Sequence, residues 1–299
     1  MRLLLLVLVC LFSFQTYSQI FVKTEYFGKS QYRINKDDKD ERVGDSKGSA
    51  MVYQGGMNIP LLKKIGRFDR PVIWSVGVGG AYVKLNNSNF TEPLVVDEIM
   101  NLGLSLNHIR SLSTKWSMMA SLGGGVFTSS TKFSDIRFNN LLASGSLIFI
   151  HHFSNSFQLG GGIAVNNSFG VPMVFPALYL NWITKGRFGT KVSLMDGLAL
   201  SAYYTVNKNL RLNFVTEMSG QMALLEQEGE NKIFSHQYIV VGLRPEIKIG
   251  KRIMIPVTMG ISAMRPAELS NRSLKSMFSN KGYYFQVAPH VSAGVQIAL

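Results

Sequence analysis

The C-terminal segment alternates apolar and polar residues with a period of two over an unusual length. From Tyr283 to Leu299 every odd position is apolar: Tyr283, Phe285, Val287, Pro289, Val291, Ala293, Val295, Ile297 and Leu299. The even positions are mostly polar or small: Tyr284, Gln286, Ala288, His290, Ser292, Gly294, Gln296 and Ala298. Successive side chains of a β-strand point to opposite faces, so this segment predicts a strand with one apolar face. At about 3.3 Å per residue it would cross an apolar band of about 25 Å even when tilted.

Other segments repeat this alternation: Phe157–Val165, Leu198–Val206, Leu210–Met218, Gln237–Ile249 and Ile253–Ala263. The chain is 46% hydrophobic with a mean hydropathy of +0.12. No window after the N-terminal stretch approaches the roughly 18 consecutive apolar residues of a transmembrane helix. Apolar residues spread in alternation are typical of an all-β fold, a closed antiparallel transmembrane β-barrel.

Turn signals give the strand number. Short turns are predicted at Leu112–Thr114, Ser154–Ser156, Lys185–Arg187, Asn207–Lys208 and Gly250–Lys251, with a slightly longer link at Leu61–Arg70. Longer polar connections alternate with them: Asn35–Lys47, Asn86–Asp97, Ser129–Arg137, Ser168–Val171, Glu226–Ser235 and Arg265–Lys281. If Met195–Gly197 is an outer turn as well, this predicts about 14 strands with both termini periplasmic; 12 is the alternative if that segment is a kink. Pro245, Pro256 and Pro289 each lack a ladder donor, so we expect bulges or strand ends there.

Residues 1–18 have the layout of a cleavable secretory signal peptide, and residues 19–299 would form the barrel. Arg2 is followed by an apolar stretch from Leu3 to Phe14 and by a polar exit, with cleavage expected after Ser18. Cys10 is the one cysteine and lies within the apolar stretch. A lipoprotein anchor at Cys10 is the less favoured alternative, because bulky residues flank it. The sequence therefore predicts export to the cell outer membrane and a mature chain without a thiol.

The net charge of +13 is unevenly distributed. The predicted periplasmic turns are basic: Lys63, Lys64, Arg67, Arg70, Lys115, Lys185, Arg187, Lys208, Arg211, Lys251 and Arg252. The predicted outer loops hold most of the acidic residues. This pattern favours either attraction of anionic solutes or lipid headgroups, or simple anchoring of the turns at the membrane surface. No nucleic-acid-binding module is recognisable, so no nucleic-acid partner is predicted.

A polar set of side chains would face the lumen if the apolar faces meet lipid. The predicted lumen-lining residues are Arg211, Asn213, Glu217, Arg244, Glu246, Lys248, Gln286 and His290, joined by Lys23 and Glu25 where the first and last strands meet. In a hydrated lumen such charges would select solutes. Paired with one another, they would instead plug a narrow barrel. Their balanced signs favour the plug slightly.

One short motif suggests chemistry. The sequence from His152 to Asn155 is H-x-S-N, which resembles the site of outer-membrane lipid hydrolases such as phospholipase A and the lipid A deacylase. The resemblance implies that His152 acts as base for Ser154 and that Asn166 orients the histidine. However, the segment from Ser154 is also a turn signal, which would place Asn166 about ten residues up the next strand and about 30 Å away. The turn is the favoured interpretation and the catalytic set the alternative. No residue spacing suggests a metal site or a cofactor.

The chain resembles the uncharacterised outer-membrane barrels found widely in Bacteroidota. The similarity is carried by Thr16–Gln19, Ser168–Pro172, Phe175–Ala177, Asn181–Trp182 and the Leu198–Met222 hairpin with Asn207–Asn209 at its turn. This resemblance implies location and fold but no activity. Leu299 departs from the aromatic residue that commonly ends such chains.

The sequence therefore predicts a narrow passive channel or solute-uptake pore, with small solutes, outer-membrane lipids and the barrel-assembly machinery as partners. A non-conducting structural barrel and the lipid hydrolase are the alternatives. An enzymatic role is the less favoured of these classes.

Overall fold

The computed structural model describes residues 19–36, 39–194, 197–273, 275–276 and 282–298. Within these ranges the chain forms a closed barrel of fourteen antiparallel strands. The predicted signal peptide lies outside the described residues, as do residues 195–196 of the predicted outer turn and residues 277–281 of the last predicted loop.

The strands follow one another around the barrel in chain order. The first seven are β1 (Gln19–Lys36), β2 (Lys39–Ile65), β3 (Pro71–Ser88), β4 (Glu98–Ser111), β5 (Trp116–Thr128), β6 (Leu141–His152) and β7 (Phe157–Asn166). The next six are β8 (Met173–Ile183), β9 (Phe188–Leu194), β10 (Leu198–Thr205), β11 (Leu210–Gln227), β12 (Glu230–Ile249) and β13 (Ile253–Asn271). The last strand, β14, has two segments, Tyr283–Phe285 and Ala288–Ala298. Two short 3-10 turns, Phe133–Asp135 and Phe138–Asn140, lie between β5 and β6.

Closure comes from pairing of the first strand with the last. Gln19 pairs with Ala298 and Phe27 with His290, and the same register continues at Tyr32 and Phe285. The β9–β10 hairpin consists of two separate strands, with Leu194 opposite Leu198. The prediction of fourteen strands is therefore confirmed, and twelve is wrong.

The connections differ at the two ends of the barrel. The end that holds Gln19 and Ala298, here called the terminal end, carries the short turns, and the opposite end, the loop end, carries the longer connections. Two predicted outer loops are instead continuous hairpins: β1 runs to Lys36 before β2 starts at Lys39, and β11 and β12 are separated only by Glu228 and Gly229. The tip of the β1–β2 hairpin is exposed and charged on both faces, and the upper β11–β12 hairpin buries Met222, Ala223 and Leu224 in succession. Neither segment therefore shows the alternation by which the sequence reveals strands.

The expected proline bulges are absent at two of the three positions. Pro245 pairs with Leu212 and Pro256 with Glu246, without a register shift at either site. Pairing between β12 and β13 skips Arg244 and Pro245 and resumes in the same register. An antiparallel residue directs its N–H to one neighbour only, so the ladder tolerates a single missing bond. Pro289 does lie near a strand end, as second residue of the longer β14 segment.

The barrel wall separates an apolar outer face from a different inner face. On β4, Leu102, Leu104 and Leu106 are exposed, whereas the alternate residues Asn101 and Ser105 are buried. None of the helices in the described ranges has the length and apolarity needed to span a bilayer. The exposed leucine row is the surface that a transmembrane barrel presents to lipid.

Candidate functional site: the barrel lumen

The lumen near the terminal end contains a carboxylate surrounded by donors. Glu25 on β1 is 1% exposed. Its carboxylate accepts hydrogen bonds from Gln54 at 2.6 Å and from the Tyr238 hydroxyl at 2.9 Å, and it lies 2.8 Å from Lys23 Nζ and 3.2 Å from His290 Nε2. These partners come from β2, β12, β1 and β14. One buried carboxylate therefore links four strands around the point where the first and last strands close the barrel. The register that brings His290 next to Phe27 on β1 creates this contact.

A second charged group lies on β11 and β12. Arg244 donates to both oxygens of Glu217, at 2.5 Å each, and through Nε to Thr258 at 2.8 Å. Arg211 and Glu246 approach more loosely, at 3.8 Å. The carboxylates Glu25, Glu217 and Glu246 therefore each have a cationic partner.

The remaining predicted lining residues are less uniform. Lys248 is half-buried, and among the described residues no acidic group lies within ion-pair distance of it. Asn213 is buried and donates to the backbone carbonyl of Arg244 at 2.9 Å. Gln286 lies in the break between the two segments of β14 and is exposed, its backbone N–H donating to the Gln31 carbonyl at 2.9 Å.

The lumen towards the loop end is filled by apolar side chains, which we call the loop-end plug. One cluster contains Phe27, Tyr32, Ala50, Val52, Val83, Leu85, Ile99, Ala223, Phe234, Tyr238, Val240, Ala267 and Phe285, with Phe90, Leu94, Val95 and Val96 from the β3–β4 loop packed near it. A second contains Phe127, Leu142, Met222, Leu224 and Ile233. Tyr32 crosses from β1 to donate to the Ala267 carbonyl of β13 at 2.8 Å. A hydrated pore would not bury such a surface, so this side of the lumen is closed at the loop end.

The upper part of β11 contributes to the plug by leaving the wall. Asn101 on β4 donates to the Met222 carbonyl at 2.7 Å, and Asn140 donates to the Leu224 carbonyl. In a fourteen-strand barrel β4 and β11 lie on opposite walls. These contacts therefore show that β11 crosses the lumen towards β4 near the loop end.

The wall formed by β7 to β10 is packed less tightly on part of its inner face. Most of its inward residues keep part of their surface accessible: Gly160, Gly162, Ala164, Tyr179, Asn181, Lys191, Ser193, Ala199, Ser201 and Tyr203. The inward residues Asn166, Phe175 and Ala177, on β7 and β8, are buried. On the opposite wall Glu25, His290 and Val240 are at most 2% exposed, although Lys23 and Glu217 each keep 28% of their side-chain surface. The free space in the lumen therefore lies mainly beside β9 and β10.

The loops at the loop end are joined by one arginine. Arg272, just beyond β13, donates through Nε to the Ser168 carbonyl at 2.9 Å, through Nη1 to the Asn139 carbonyl at 2.6 Å and through Nη2 to the Asn167 carbonyl at 2.7 Å. Partial burial lowers the pKa of this guanidinium from its ordinary value. Arginine nevertheless stays protonated at neutral pH, so Arg272 holds the β5–β6 and β7–β8 loops together above the free space.

The H-x-S-N residues are not brought together. His152 faces the lumen beside Gln158, whereas Ser154 is exposed in the turn and accepts the backbone N–H groups of Ser156 and Phe157 at 3.1 and 3.0 Å. Asn166 lies at the other end of β7, eight residues beyond Gln158 or about 26 Å along the strand. The set His152, Ser154 and Asn166 stays a prediction without geometric support.

Sequence reasoning missed a different serine next to this histidine. His152 Nε2 lies 2.8 Å from Ser117 Oγ on β5, a distance suited to a nucleophile and its base. His152 Nδ1 is buried and has no hydrogen-bond partner within the described part of the chain, so no third group orients the ring. Ser117 is thirty-five positions away in sequence, and only the strand register reveals the contact. Within the described ranges no group of three His, Cys, Asp or Glu could hold a metal ion.

Comparison with known families gives a match over nearly the whole chain. Residues 14–298 match a family described as a domain of unknown function, DUF6268. The chain belongs to this family. The predicted resemblance to a family of unknown function is thereby confirmed, whereas its assignment to Bacteroidota stays a prediction. Comparison with curated proteins finds no match.

Solved structures give distant likenesses to outer-membrane barrels. An outer-membrane channel from Pseudomonas putida F1 is 7% identical over 96% of this chain and 97% of that chain, with a TM-score of 0.46. The translocator domain of the autotransporter NalP from Neisseria meningitidis is 11% identical over 96% of this chain and 90% of that chain, with a TM-score of 0.36. The Pseudomonas putida toluene transporter TodX is 10% identical over 95% and 90%, with a TM-score of 0.37. At these identities and scores, none of them carries an argument about function.

Proposed function

We propose that this protein is an integral outer-membrane barrel that forms a narrow passive channel for small solutes. Its terminal end faces the periplasm and its loop end faces outward, in keeping with short periplasmic turns in such barrels. Export through a signal peptide, insertion by the barrel-assembly machinery and contact with outer-membrane lipids belong to the same proposal.

The observation that carries the proposal is the asymmetry of the lumen. One side is packed with paired charges and the loop-end plug, while the inward face of β9 and β10 retains accessible surface. Lys191 is exposed on that accessible face. Together with Lys248 it gives two lumenal cations with no acidic group within ion-pair distance in the described ranges. An off-axis path lined by these two lysines would favour anions.

A non-conducting structural barrel is the second candidate, because one observation favours it. The Glu25 group and the Arg244–Glu217 pair cross-link neighbouring strands, as expected of a lumen filled for rigidity. This candidate predicts no ion passage even when the loops at the loop end are released.

Single-channel conductance in a planar lipid bilayer tests the proposal. The refolded protein should show small, reproducible openings with a preference for anions. Arg272→Ala should raise the open probability, because it releases two loops above the path. A heat-modifiable, correctly folded barrel that stays silent in both forms would refute the channel and leave the structural barrel.

A further inference from the structure

All three tryptophans of the chain lie on the outer face of the wall, near its terminal end. Trp74 is the fourth residue of β3, Trp116 is the first of β5 and Trp182 is the last but one of β8. Between 38% and 44% of the surface of each is exposed. Tryptophan is enriched where a membrane-spanning protein crosses from hydrocarbon into the headgroup layer. This belt therefore marks the height at which lipid headgroups meet the terminal end of the barrel.

Trp74 belongs to a row of three outward side chains across β2, β3 and β4. It pairs with Leu62 on one side and with His108 on the other. The His108 ring stacks on the Trp74 ring with centroids 4.1 Å apart, and its Nδ1 lies 3.1 Å from the Ile73 carbonyl oxygen. The alternate residue Ile73 is only 6% exposed, so the row faces away from the lumen. It presents a flat aromatic surface to lipid at the height of the belt.

A cationic row lies next to this one, two residues nearer the terminal end. Lys64 on β2 pairs with Val72 on β3. Arg110 on β4 follows Ile109, the partner of Ile73, and so lies beside Val72 on the other side. Both cations are exposed. Two strand spacings, about 10 Å, separate their Cα atoms, so the two long side chains can converge over Val72 on a single phosphate.

The charge around this row is strongly positive. Among the described residues, no ion pair engages Lys64 or Arg110. The segment that joins β2 to β3 contains one acidic residue, Asp69, and three further cations, Lys63, Arg67 and Arg70. Guanidinium and ammonium groups bind phosphate, and cations at a membrane surface attract anionic lipids. The two rows together are therefore complementary to a phospholipid with a net negative headgroup.

The belt at Trp182 has no such cationic row. The outward side chains two residues nearer the terminal end are Thr184 and Thr190, whose hydroxyl oxygens lie 3.3 Å apart. In the same turn, the guanidinium of Arg187 lies over the Tyr204 ring, 5.1 Å from its centroid. Trp182 thus has the same exposure and height as Trp74 without the two converging cations, and it serves as an internal comparison.

We propose that Lys64, Arg110 and Trp74 form a binding site for an anionic phospholipid of the periplasmic leaflet. The phosphate lies between the two cations, over Val72. The glycerol and the first acyl segments lie against Trp74, and the hydrocarbon continues along the lipid-facing Leu106 of β4. This inference rests on the membrane insertion included in the proposed function, with the terminal end towards the periplasm, and not on conduction.

Quenching of tryptophan fluorescence by brominated lipids tests the site. Trp116→Phe with Trp182→Phe leaves Trp74 as the single reporter, and Trp74→Phe with Trp116→Phe leaves Trp182. Each protein is refolded into mixed vesicles of phosphatidylglycerol and phosphatidylcholine in which one lipid or the other is brominated. Trp74 should prefer phosphatidylglycerol by roughly fivefold or more, the gain expected of one cation at a membrane surface. Trp182 should show a clearly smaller preference.

Matched charge removals provide the control. Lys64→Gln with Arg110→Gln should reduce the preference at Trp74 to the value found at Trp182, because the phosphate loses both of its partners. Lys185→Gln with Arg187→Gln removes the same two charges from the exposed β8–β9 turn and should leave Trp74 unchanged. Heat modifiability on gel electrophoresis verifies that each variant is folded.

The outcomes separate the lipid site from the proposed function. Equal quenching of Trp74 by both lipids, or a preference that survives Lys64→Gln with Arg110→Gln, refutes the site while membrane insertion stands. An equal loss in the Lys185 and Arg187 variant means that net charge attracts the lipid, which also overturns the site. If neither lipid quenches any tryptophan, membrane insertion and the site fail together. Conductance is measured on the same vesicles, and a silent protein that keeps the preference at Trp74 refutes the channel alone.

Discussion

Arg244 on β12 donates two hydrogen bonds to Glu217 on the neighbouring β11, with Nη1 and Nη2 each 2.5 Å from one carboxylate oxygen. Both side chains are partly buried, with 15% and 28% of their surface exposed. A two-point contact of this kind fixes geometry as well as charge. Removing one partner should destabilise the folded barrel, because the other charge would be left uncompensated in the lumen.

Arg244→Ala should therefore destabilise the barrel by about 2 kcal/mol, a value reduced for partial solvent screening. Urea-induced unfolding in lipid vesicles measures this. Arg252→Ala, in an exposed turn, is the control and should change stability by less than about 0.5 kcal/mol. Replacing both partners, Arg244→Met with Glu217→Leu, should recover most of the loss. If Arg244→Ala changes the free energy of unfolding as little as Arg252→Ala does, the ion pair contributes little to stability.

Arg272→Ala should increase the open probability of the channel, because its three hydrogen bonds to loop carbonyls are lost together. Lys132→Ala removes an exposed cation from one of the same loops and should leave the open probability unchanged. Single-channel recordings distinguish the two variants. Equal behaviour of both would mean that Arg272 does not hold the loops over the path.

Lys191→Glu and Lys248→Glu should each shift ion selectivity from anions towards cations, because each reverses a lumenal charge that has no acidic group within ion-pair distance in the described ranges. Reversal potentials under a salt gradient report the shift. Lys208→Glu, in an exposed turn at the terminal end, makes the same charge change outside the path and should have a smaller effect. If Lys208→Glu shifts selectivity as much as the others, the charge acts from the surface.

Phospholipid hydrolysis should be undetectable in the wild-type protein, because no third group among the described residues orients His152 beside Ser117, and Ser154 is engaged in a turn. Ser154→Ala should instead lower stability by about 0.5–1 kcal/mol, since two backbone N–H groups lose their acceptor. Fatty-acid release that disappears in Ser117→Ala would restore the enzymatic alternative.

The sequence predicts the wall of this barrel better than its lumen. Alternation identifies strands wherever one face meets lipid, as in Leu210–Met218, and the turn at Asn207 is marked by its own residue types. It also places Glu217 and Arg244 on the inner face. That they form a pair follows from the register between β11 and β12, in which Asn213 lies opposite Arg244, and no periodicity in a single strand contains this information.

Other features depend on contacts between distant segments. The loop-end plug depends on β11 crossing towards β4, where Asn101 donates to the Met222 carbonyl. The sequence around neither residue predicts this contact. Likewise, the unpaired upper edge of β8 follows from how few described residues of β9 pair with it. Pro176 suits such an edge because it has no N–H to donate, but this can be recognised only once the neighbouring strand is known to be short.

The unequal height of the wall has a consequence for the surrounding membrane. β9 pairs with β8 only as far as Leu180, whereas the exposed apolar side chains of β8 continue through Leu178 to Val174. Within the described residues the apolar surface offered to lipid is therefore shorter at β9 than at β8. A bilayer relieves such hydrophobic mismatch by thinning or by letting the protein tilt, each at a modest energetic cost. Lipids beside the β9–β10 hairpin should therefore be shorter or more disordered than those on the opposite side. The bilayer would be locally thinner beside this hairpin, which would lower the barrier for molecules to leave the leaflet there.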